Sequence, residues 1–126
     1  MKIFVTHAKS FDFENELYAP LRNSQLAKEH QLIFPEEGER KRTKDSIQEC
    51  GVVLAEVSYP STGSGIEIGW ANALDKPIIA IYKSGSKISS SLEYVTQAVI
   101  SYKNIHELPE LIAQELKKVG HIKHSE

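Results

Sequence analysis

The chain has 126 residues, the size of one domain, of which 40% are apolar and 25% are charged. These fractions are ordinary for a globular protein and exclude a disordered or collagen-like chain. Fifteen basic against seventeen acidic residues give a net charge of −2, which excludes a surface built to bind duplex nucleic acid or an anionic membrane.

Short β-branched runs alternate with longer segments of helical period, a pattern typical of βαβ units and a parallel sheet. The pattern predicts five strands, Lys2–Thr6, Gln31–Phe34, Val52–Val57, Pro77–Tyr82 and Ala98–Tyr102. It predicts helices at Phe13–Glu29, Arg42–Cys50, Ser64–Leu74, Ser90–Gln97 and Ile105–Val119. We therefore expect an α/β three-layer sandwich with a five-stranded parallel sheet, flavodoxin-like or Rossmann-like. Such folds bind ligands beyond the carboxyl ends of the strands, where the strand order reverses.

Residues 1–120 are expected to form a single domain and residues 121–126 a frayed tail, because Gly120 closes the last helix and polar residues follow. The single cysteine, Cys50, excludes an internal disulfide and a cysteine-based zinc site. The first residues lead into a strand instead of a signal peptide, and no apolar run approaches the roughly 20 residues that span a bilayer. We expect a cytoplasmic protein with no membrane partner, no metal and no cofactor.

A turn rich in glycine and serine leads from the third predicted strand into a helix, with the sequence EVSYPSTGSGIEIGW over residues 56–70. Backbone N–H groups at a helix N-terminus bind anions, and small residues let a ligand approach closely. The hydroxyls of Ser61 and Ser64 add donors. No P-loop lysine follows, and the glycine spacing misses the dinucleotide fingerprint by one residue. The glycines concerned are Gly63, Gly65 and Gly69.

Glu67 in this helix has two interpretations. Ser64-x-x-Glu67 fits a capping box, in which the glutamate reaches back to the amide of the N-cap residue. Alternatively, the carboxylate faces the crevice, is kept ionised by the helix N-terminus, and acts as a nucleophile or base. The predicted buried face of the helix leaves Glu67 beside the strand ends, and it consists of Ile66, Trp70, Ala73 and Leu74.

A second polar loop, residues 83–91, follows the fourth predicted strand and should open on the same edge of the sheet. Lys87 would supply positive charge there. Ser90-x-x-Glu93 fits either another capping box or a contact to phosphate or ribose.

Three other polar residues lie near predicted strand ends or helix starts. His7 follows the first strand and is either a general acid or, more commonly for such a position, an exposed loop residue. Asp45 lies near a helix start, where capping explains a carboxylate as well as chemistry does. Glu56 ends a buried strand, so its carboxylate needs a partner.

The run from Ala55 to Ala71 resembles the core motif of the nucleoside 2-deoxyribosyltransferase family, and within it the small 2'-deoxynucleoside 5'-phosphate N-hydrolases. The likeness extends to residues 72–79 and to the serine loop at residues 87–92. Outside residues 50–95 only the order of strands and helices agrees. The resemblance implies cleavage or transfer of the N-glycosidic bond of 2'-deoxynucleosides or their 5'-monophosphates.

Carried over by position, the resemblance implies that Glu67 attacks the anomeric carbon and forms a covalent glycosyl ester. Ser61, the backbone of residues 63–65 and Ser90 would hold the 5'-phosphate. The family completes its active site with a neighbouring subunit, so a homodimer with a shared site is implied, in which Ser90 is donated across the interface.

The sequence departs from the family at two positions. The assisting aspartate of the family falls at Thr43, and Asp45 is the nearest substitute. The tyrosine that the phosphate hydrolases carry on the first strand is missing, and the segment Ile3–His7 stands in its place. Substrate handling is therefore expected to differ from that of the family.

Two hypotheses of different classes follow. In the first, the chain is an enzyme that cleaves or transfers an N-glycosidic bond of a small nucleoside or nucleotide. In the alternative, it is a nucleotide-binding or nucleotide-sensing module that uses the same crevice without turnover, so release of free base separates the two. The candidate catalytic residues are Glu67 and Asp45, and the candidate substrate-binding residues are His7, Ser61, Gly63, Ser64, Gly65, Lys87 and Ser90.

Overall fold

The computed structural model describes residues 1–37 and 42–125. Five strands form one sheet in the order β2-β1-β3-β4-β5, and every neighbouring pair is parallel. The strands are β1 (Lys2–His7), β2 (Gln31–Ile33), β3 (Val52–Glu56), β4 (Ile78–Lys83) and β5 (Ala98–Tyr102). The predicted α/β fold is confirmed, and each predicted strand agrees with the structure within one residue at either end.

Helices cover both faces of the sheet. The α-helices are α1 (Ala19–Arg22), α2 (Gln25–Glu29), α3 (Thr43–Glu49), α4 (Thr62–Ala73) and α5 (Leu108–Ser125). A π-helical turn at Glu14–Tyr18 precedes α1, and 3-10 turns lie at Ser90–Tyr94 and Ile105–Glu107.

The predicted helix Phe13–Glu29 is wrong as one continuous element. A break at Asn23 and Ser24 separates α1 from α2, and Ser24 is extended, with φ −98° and ψ 170°. The Ser24 hydroxyl donates to the Leu21 carbonyl at 2.5 Å. A serine that bonds the preceding backbone offers the chain an alternative to the helical ladder, and this competition explains the break.

Two predicted helix ends also differ from the structure. The predicted helix Ser90–Gln97 is only a short 3-10 turn that ends at Tyr94. The last helix passes Gly120, where it was expected to end, and continues to Ser125. Residue 126 lies outside the described residues, and the division into a domain and a tail stays a prediction.

The two faces of the sheet carry separate apolar clusters. On one face, α1, α2 and α5 contribute Leu21, Leu26 and Ile112. On the other face, α3 and α4 contribute Ile47 and Ile68. Since β1 lies between β2 and β3, the strand order reverses there, and this fold places its crevice beside the carboxyl ends of β1 and β3.

Candidate active site

Helix α4 begins after β3 and is capped by Ser61. Ser61 is extended, and its Oγ accepts a hydrogen bond from the backbone N–H of Ser64 at 3.2 Å. Because the helix begins at Thr62, Ser64 is the third helical residue and Glu67 the sixth. The capping-box interpretation of Ser64 and Glu67 is therefore wrong, and the carboxylate is not used to tie off its own helix.

The Glu67 carboxylate is half-buried and faces the carboxyl end of β1. The Thr6 hydroxyl donates to Glu67 Oε1 at 2.7 Å and lies 3.0 Å from Ser64 Oγ. A threonine hydroxyl has one hydrogen, and an ionised carboxylate only accepts. The bonds therefore run from Ser64 to Thr6 and from Thr6 to Glu67, a directed chain that ends on the carboxylate.

The predicted buried face of α4 is right for Trp70 and Leu74, which are half-buried and pack against the apolar cluster, and wrong for its other two residues. Ile66 is 50% exposed and Ala73 is also exposed. The helix instead buries Ser64, Ile68 and Ala71 against the sheet. Two hydroxyl-bearing side chains, Thr6 and Ser64, meet beneath the first turns of α4, so this part of the interface is polar where an apolar stripe was expected.

A cavity of about 340 Å³ lies beside α4. Four predicted substrate-binding residues line it, namely Ser61, Ser64, Gly65 and Lys87. The other lining residues are Val57, Tyr59, Pro60, Ile68, Gly69, Ser89, Ser91, Leu92 and Val95. The structure thus brings the loop after β3 and the serine loop after β4 to one hollow, as predicted from their positions in the chain.

The glycines of the turn leave open space around α4. A Cβ atom built on Gly63, Gly65 or Gly69 would meet no atom within 4 Å beyond its chain neighbours and the nearby backbone of its own helix. Packing within the chain therefore does not require glycine at these positions. Small residues here leave room for a molecule outside the chain to approach the helix N-terminus.

Ser90 does not line the cavity that Ser61 lines. It is exposed, and it lies in a separate surface depression with Ile88, Glu93 and Val99. Ser89, and not Ser90, caps the 3-10 turn, since its Oγ accepts from Ser91 N at 3.2 Å. The capping box with Glu93 is therefore wrong, and within its own chain Ser90 does not share the cavity of Ser61.

Asp45 lies in the first turn of α3 and is exposed. The inner face of α3 is formed by Ser46 and Ile47, which are buried, while Thr43 is half-buried. The structure therefore places Asp45 outside the packed face of α3, at the protein surface.

His7 is buried, so the exposed-loop interpretation is wrong. Its Nδ1 lies 2.7 Å from the carbonyl of Ala8, and its Nε2 lies 2.5 Å from the Tyr18 hydroxyl. Because a carbonyl only accepts, Nδ1 carries the hydrogen, and a neutral imidazole then accepts from Tyr18 through Nε2. The ring also packs against Phe13 at a centroid distance of 4.5 Å. Both ring nitrogens are thus engaged within the chain.

Glu56 has the partners that its buried position requires. The Ser58 backbone N–H donates to one carboxylate oxygen at 2.6 Å, and the hydroxyls of Ser58 and Tyr102 donate to the other. Ser58 Oγ in turn accepts from Lys83 N at 2.7 Å. This network joins the carboxyl ends of β3, β4 and β5 and fixes the start of the turn that leads to α4. Burial and the bond to Glu56 raise the pKa of Tyr102.

The buried tyrosines predict a loss of stability in alkaline solution. Burial and then the charge of Glu36 raise the pKa of Tyr18, and Tyr102 is shifted in the same direction. Unfolded tyrosines ionise near pH 10, whereas these two stay protonated in the folded chain. The free energy of unfolding should therefore fall above about pH 10 by roughly 1.4 kcal/mol per pH unit for each tyrosine. Urea unfolding across this range measures the fall, and an unchanged slope in Tyr102→Phe would contradict it.

Sequence reasoning missed a group of side chains above the carboxyl ends of the strands. Lys83 Nζ donates to the Tyr59 hydroxyl at 2.9 Å and lies 3.1 Å from Glu16 Oε1. Phe11 stacks on Tyr59 at a centroid distance of 5.0 Å. Burial lowers the pKa of Lys83, but its bonds to Tyr59 and Glu16 outweigh that effect and raise it. These contacts fix the loop after β1 over β3. Because they join residues that are far apart in the chain, no local sequence pattern predicts them.

Within residues 1–37 and 42–125, no group of three or more His, Cys, Asp or Glu side chains is placed to hold a metal ion. Over the same residues, no helix has the length and apolarity needed to cross a bilayer.

About a third of the chain is similar to curated N-hydrolases. The chain is 44% identical over 48 residues to the 5-hydroxymethyl-dUMP N-hydrolase of Rattus norvegicus, covering 36% of this chain. It is 46% identical over 41 residues, 32% of this chain, to a Syntrophotalea carbinolica protein named 2'-deoxynucleoside 5'-phosphate N-hydrolase 1. These matches confirm the predicted resemblance. Each spans only 29% of the relative's length, and no family model matches the chain.

Two solved structures share the fold over nearly the whole chain. A CMP N-glycosidase from Clostridium botulinum has a TM-score of 0.63 and 22% identity, and the match covers 93% of this chain and 99% of that chain. The signal receiver domain of a Luxo repressor protein from Vibrio parahaemolyticus has a TM-score of 0.62 and 15% identity, with 99% and 96% covered. At these identities the matches show a flavodoxin-like fold.

Proposed function

We propose that this chain is an enzyme that cleaves the N-glycosidic bond of a nucleotide, with Glu67 as the nucleophile. The observation that carries the proposal is the position of the Glu67 carboxylate. It is released from capping its own helix and is held at the carboxyl end of β1 by Thr6. The partial similarity to N-hydrolases also supports the assignment.

The proposed reaction has two steps. A Glu67 carboxylate oxygen attacks C1' as the bond between C1' and the base nitrogen breaks, and the base leaves with the bonding electron pair and takes up a proton. Water then attacks C1', releases the carboxylate and gives the free sugar phosphate with retained configuration. Retaining glycoside hydrolysis uses this covalent route.

The 5'-phosphate is proposed to bind at the start of α4. Ser61 and Lys87 line the cavity there, and the open space around Gly63 and Gly65 lets phosphate oxygens reach the backbone N–H groups. The positive end of the helix macrodipole favours an anion at this position. The sugar would then lie between this phosphate and Glu67, about one helical turn further along.

Protonation of the leaving base by Asp45 stays a sequence-based prediction. Because Asp45 is exposed on α3, solvent water is the competing proton donor. Slower base release by Asp45→Asn would support the carboxylate, and unchanged release would support water.

A homodimer with a shared active site is part of the proposal. Ser90 is exposed and lies outside the cavity that Ser61 lines, which suits a residue that serves the site of another subunit. Light scattering that gives the mass of one chain under assay conditions would contradict the dimer.

Base release is the direct test of the function. The protein is incubated with each 2'-deoxynucleoside 5'-monophosphate and with CMP, and free base is followed by chromatography. We expect release from at least one of these nucleotides. Thermal stabilisation by nucleotides without release of base would instead support a binding or sensing module and overturn the proposal.

Thr6 is predicted to control the reactivity of Glu67. Thr6→Val keeps the shape of the side chain but removes the donor to the carboxylate, and a hydrogen bond to a charged group contributes about 1.5–3 kcal/mol. We expect kcat to fall by about tenfold to a hundredfold with little change in KM. Thr6→Ser restores the hydroxyl and is the matched control. Equal kcat values for the valine and serine variants would show that the bond has no catalytic role.

A further inference from the structure

The cavity beside α4 has an apolar wall that the proposed chemistry at Glu67 does not use. Val57, Ile68, Leu92 and Val95 line it, with the rings of Tyr59 and Pro60. Glu67 is not among the described lining residues, and at about 100° per residue it projects well away from its neighbour Ile68. The Glu67 carboxylate therefore does not form part of this wall, although Ser64, which lines the cavity, bonds to the same Thr6 hydroxyl as Glu67.

The mouth of the cavity is polar and positively charged. The exposed lining residues include Lys87, Ser89 and Ser91, together with Gly65 and Gly69, and Ser61 is half-buried. Among the ion pairs of the described residues, none involves Lys87. An apolar hollow with an ammonium group and hydroxyls at its opening fits a ligand that is apolar at one end and anionic at the other.

The size of the cavity suits an aromatic ring. An apolar cavity of about 150 Å³ is enough to hold a benzene molecule in a protein interior. The volume here, about 340 Å³, exceeds that and leaves room for the group attached to the ring. A phosphate alone would leave the wall of Val57, Ile68, Leu92 and Val95 without a contact.

We propose that this cavity binds the aromatic group of an aryl phosphate ester, whose phosphate lies at the mouth beside Lys87 and Ser61. The inference rests on the proposed phosphate role of Ser61, and it extends the ligand beyond a simple 5'-monophosphate. The ring has two possible sources, a second ester on the substrate's own 5'-phosphate or a separate aryl phosphate. Both contain an aromatic ring bonded through oxygen to a phosphate.

Phenyl phosphate and inorganic phosphate are the probes for this site. In calorimetric titrations of the full chain, phenyl phosphate should bind at least about tenfold more tightly than inorganic phosphate, because burial of the ring removes apolar area from water. Gly69→Leu places a side chain in the cavity, where a Cβ atom has no neighbour within 4 Å. The ratio of the two affinities should then fall to about one. Gly69→Ala is the control that makes the same change to the helix backbone without filling the cavity, and it should keep the ratio.

Each result decides the inference. Equal affinities in the natural chain would overturn it, as would an advantage for phenyl phosphate that survives Gly69→Leu, since the ring would then lie elsewhere. If a second copy of the chain fills the cavity, the two probes should also bind with equal affinity. If neither probe binds, the mouth of the cavity is not a phosphate site.

A nucleotide pair separates the two sources of the ring. Thymidine 5'-monophosphate is compared with its p-nitrophenyl ester, which carries the ring on the 5'-phosphate. Tighter binding of the ester, lost in Gly69→Leu, indicates a second ester group, whereas tight binding of phenyl phosphate alone indicates a separate ligand. Base release without any preference for aryl groups would overturn this inference alone, and preference for aryl groups without base release would overturn the proposed function alone.

Discussion

Glu67→Gln is expected to lower the rate of base release by at least about a thousandfold, because loss of a nucleophile removes the covalent route. The amide keeps the size of the side chain and an oxygen that accepts from Thr6, so the fold should be retained. Initial rates of base release, measured with the nucleotide that the natural chain cleaves best, give the comparison.

Glu110→Gln is the matched control for Glu67→Gln. Glu110 is an exposed carboxylate in the first turn of α5, which packs on the opposite face of the sheet. Its replacement should leave the rate unchanged. A rate for Glu67→Gln within about tenfold of the natural chain would remove Glu67 from the chemistry.

Glu56→Leu is expected to cost about 3–5 kcal/mol in the free energy of unfolding, since it leaves several buried donors without an acceptor. Glu56 is 1% exposed, and the donors that lose their partner belong to Ser58 and Tyr102. Urea unfolding of the variant and the natural chain measures the difference.

Tyr102→Phe provides the control for this network. In the natural chain it removes a hydroxyl that Glu56 accepts from, so it should be destabilising. In the Glu56→Leu chain the same change removes a buried donor that already lacks its acceptor, so it should cost less or restore stability. Strictly additive effects of the two substitutions would show that the bond between them does not hold the strand ends together.

The sheet was predictable because its signals are local and agree with one another. β-branched runs such as those around Val53 and Ile79 are buried on both faces. A parallel strand covered by helices is a continuous apolar run, without the alternation of polar and apolar residues that a half-exposed strand shows. The order of strands and helices then left few topologies open.

The start of α4 shows where local signals compete. Ser61 and Ser64 are both good capping residues, and each is followed by a run that continues as helix. The sequence favoured Ser64 because Glu67 completes a capping box with it. The structure uses Ser61, because Ser64 and Glu67 bond instead to Thr6, a residue about sixty positions away in the chain.

The misplaced part of the α4 face and the environment of His7 have the same cause. Ile66 is apolar yet 50% exposed, while Ser64 is polar yet buried, since a hydroxyl from β1 meets it. His7 is buried because Tyr18 offers it a hydrogen bond and Phe13 a ring contact. Such partners come from distant segments, so a pattern of period 3.6 or 2 carries no information about them.

The central claim is that Glu67 forms a covalent bond to the sugar, and a slow substrate tests it most directly. A 2'-fluoro-arabino nucleotide destabilises the positively charged transition state and lets a glycosyl ester accumulate. Mass spectrometry of the digested protein should find the sugar phosphate on Glu67, with one base released for each ester formed. Release of base with no adduct, or an adduct on a different side chain, would contradict the claim.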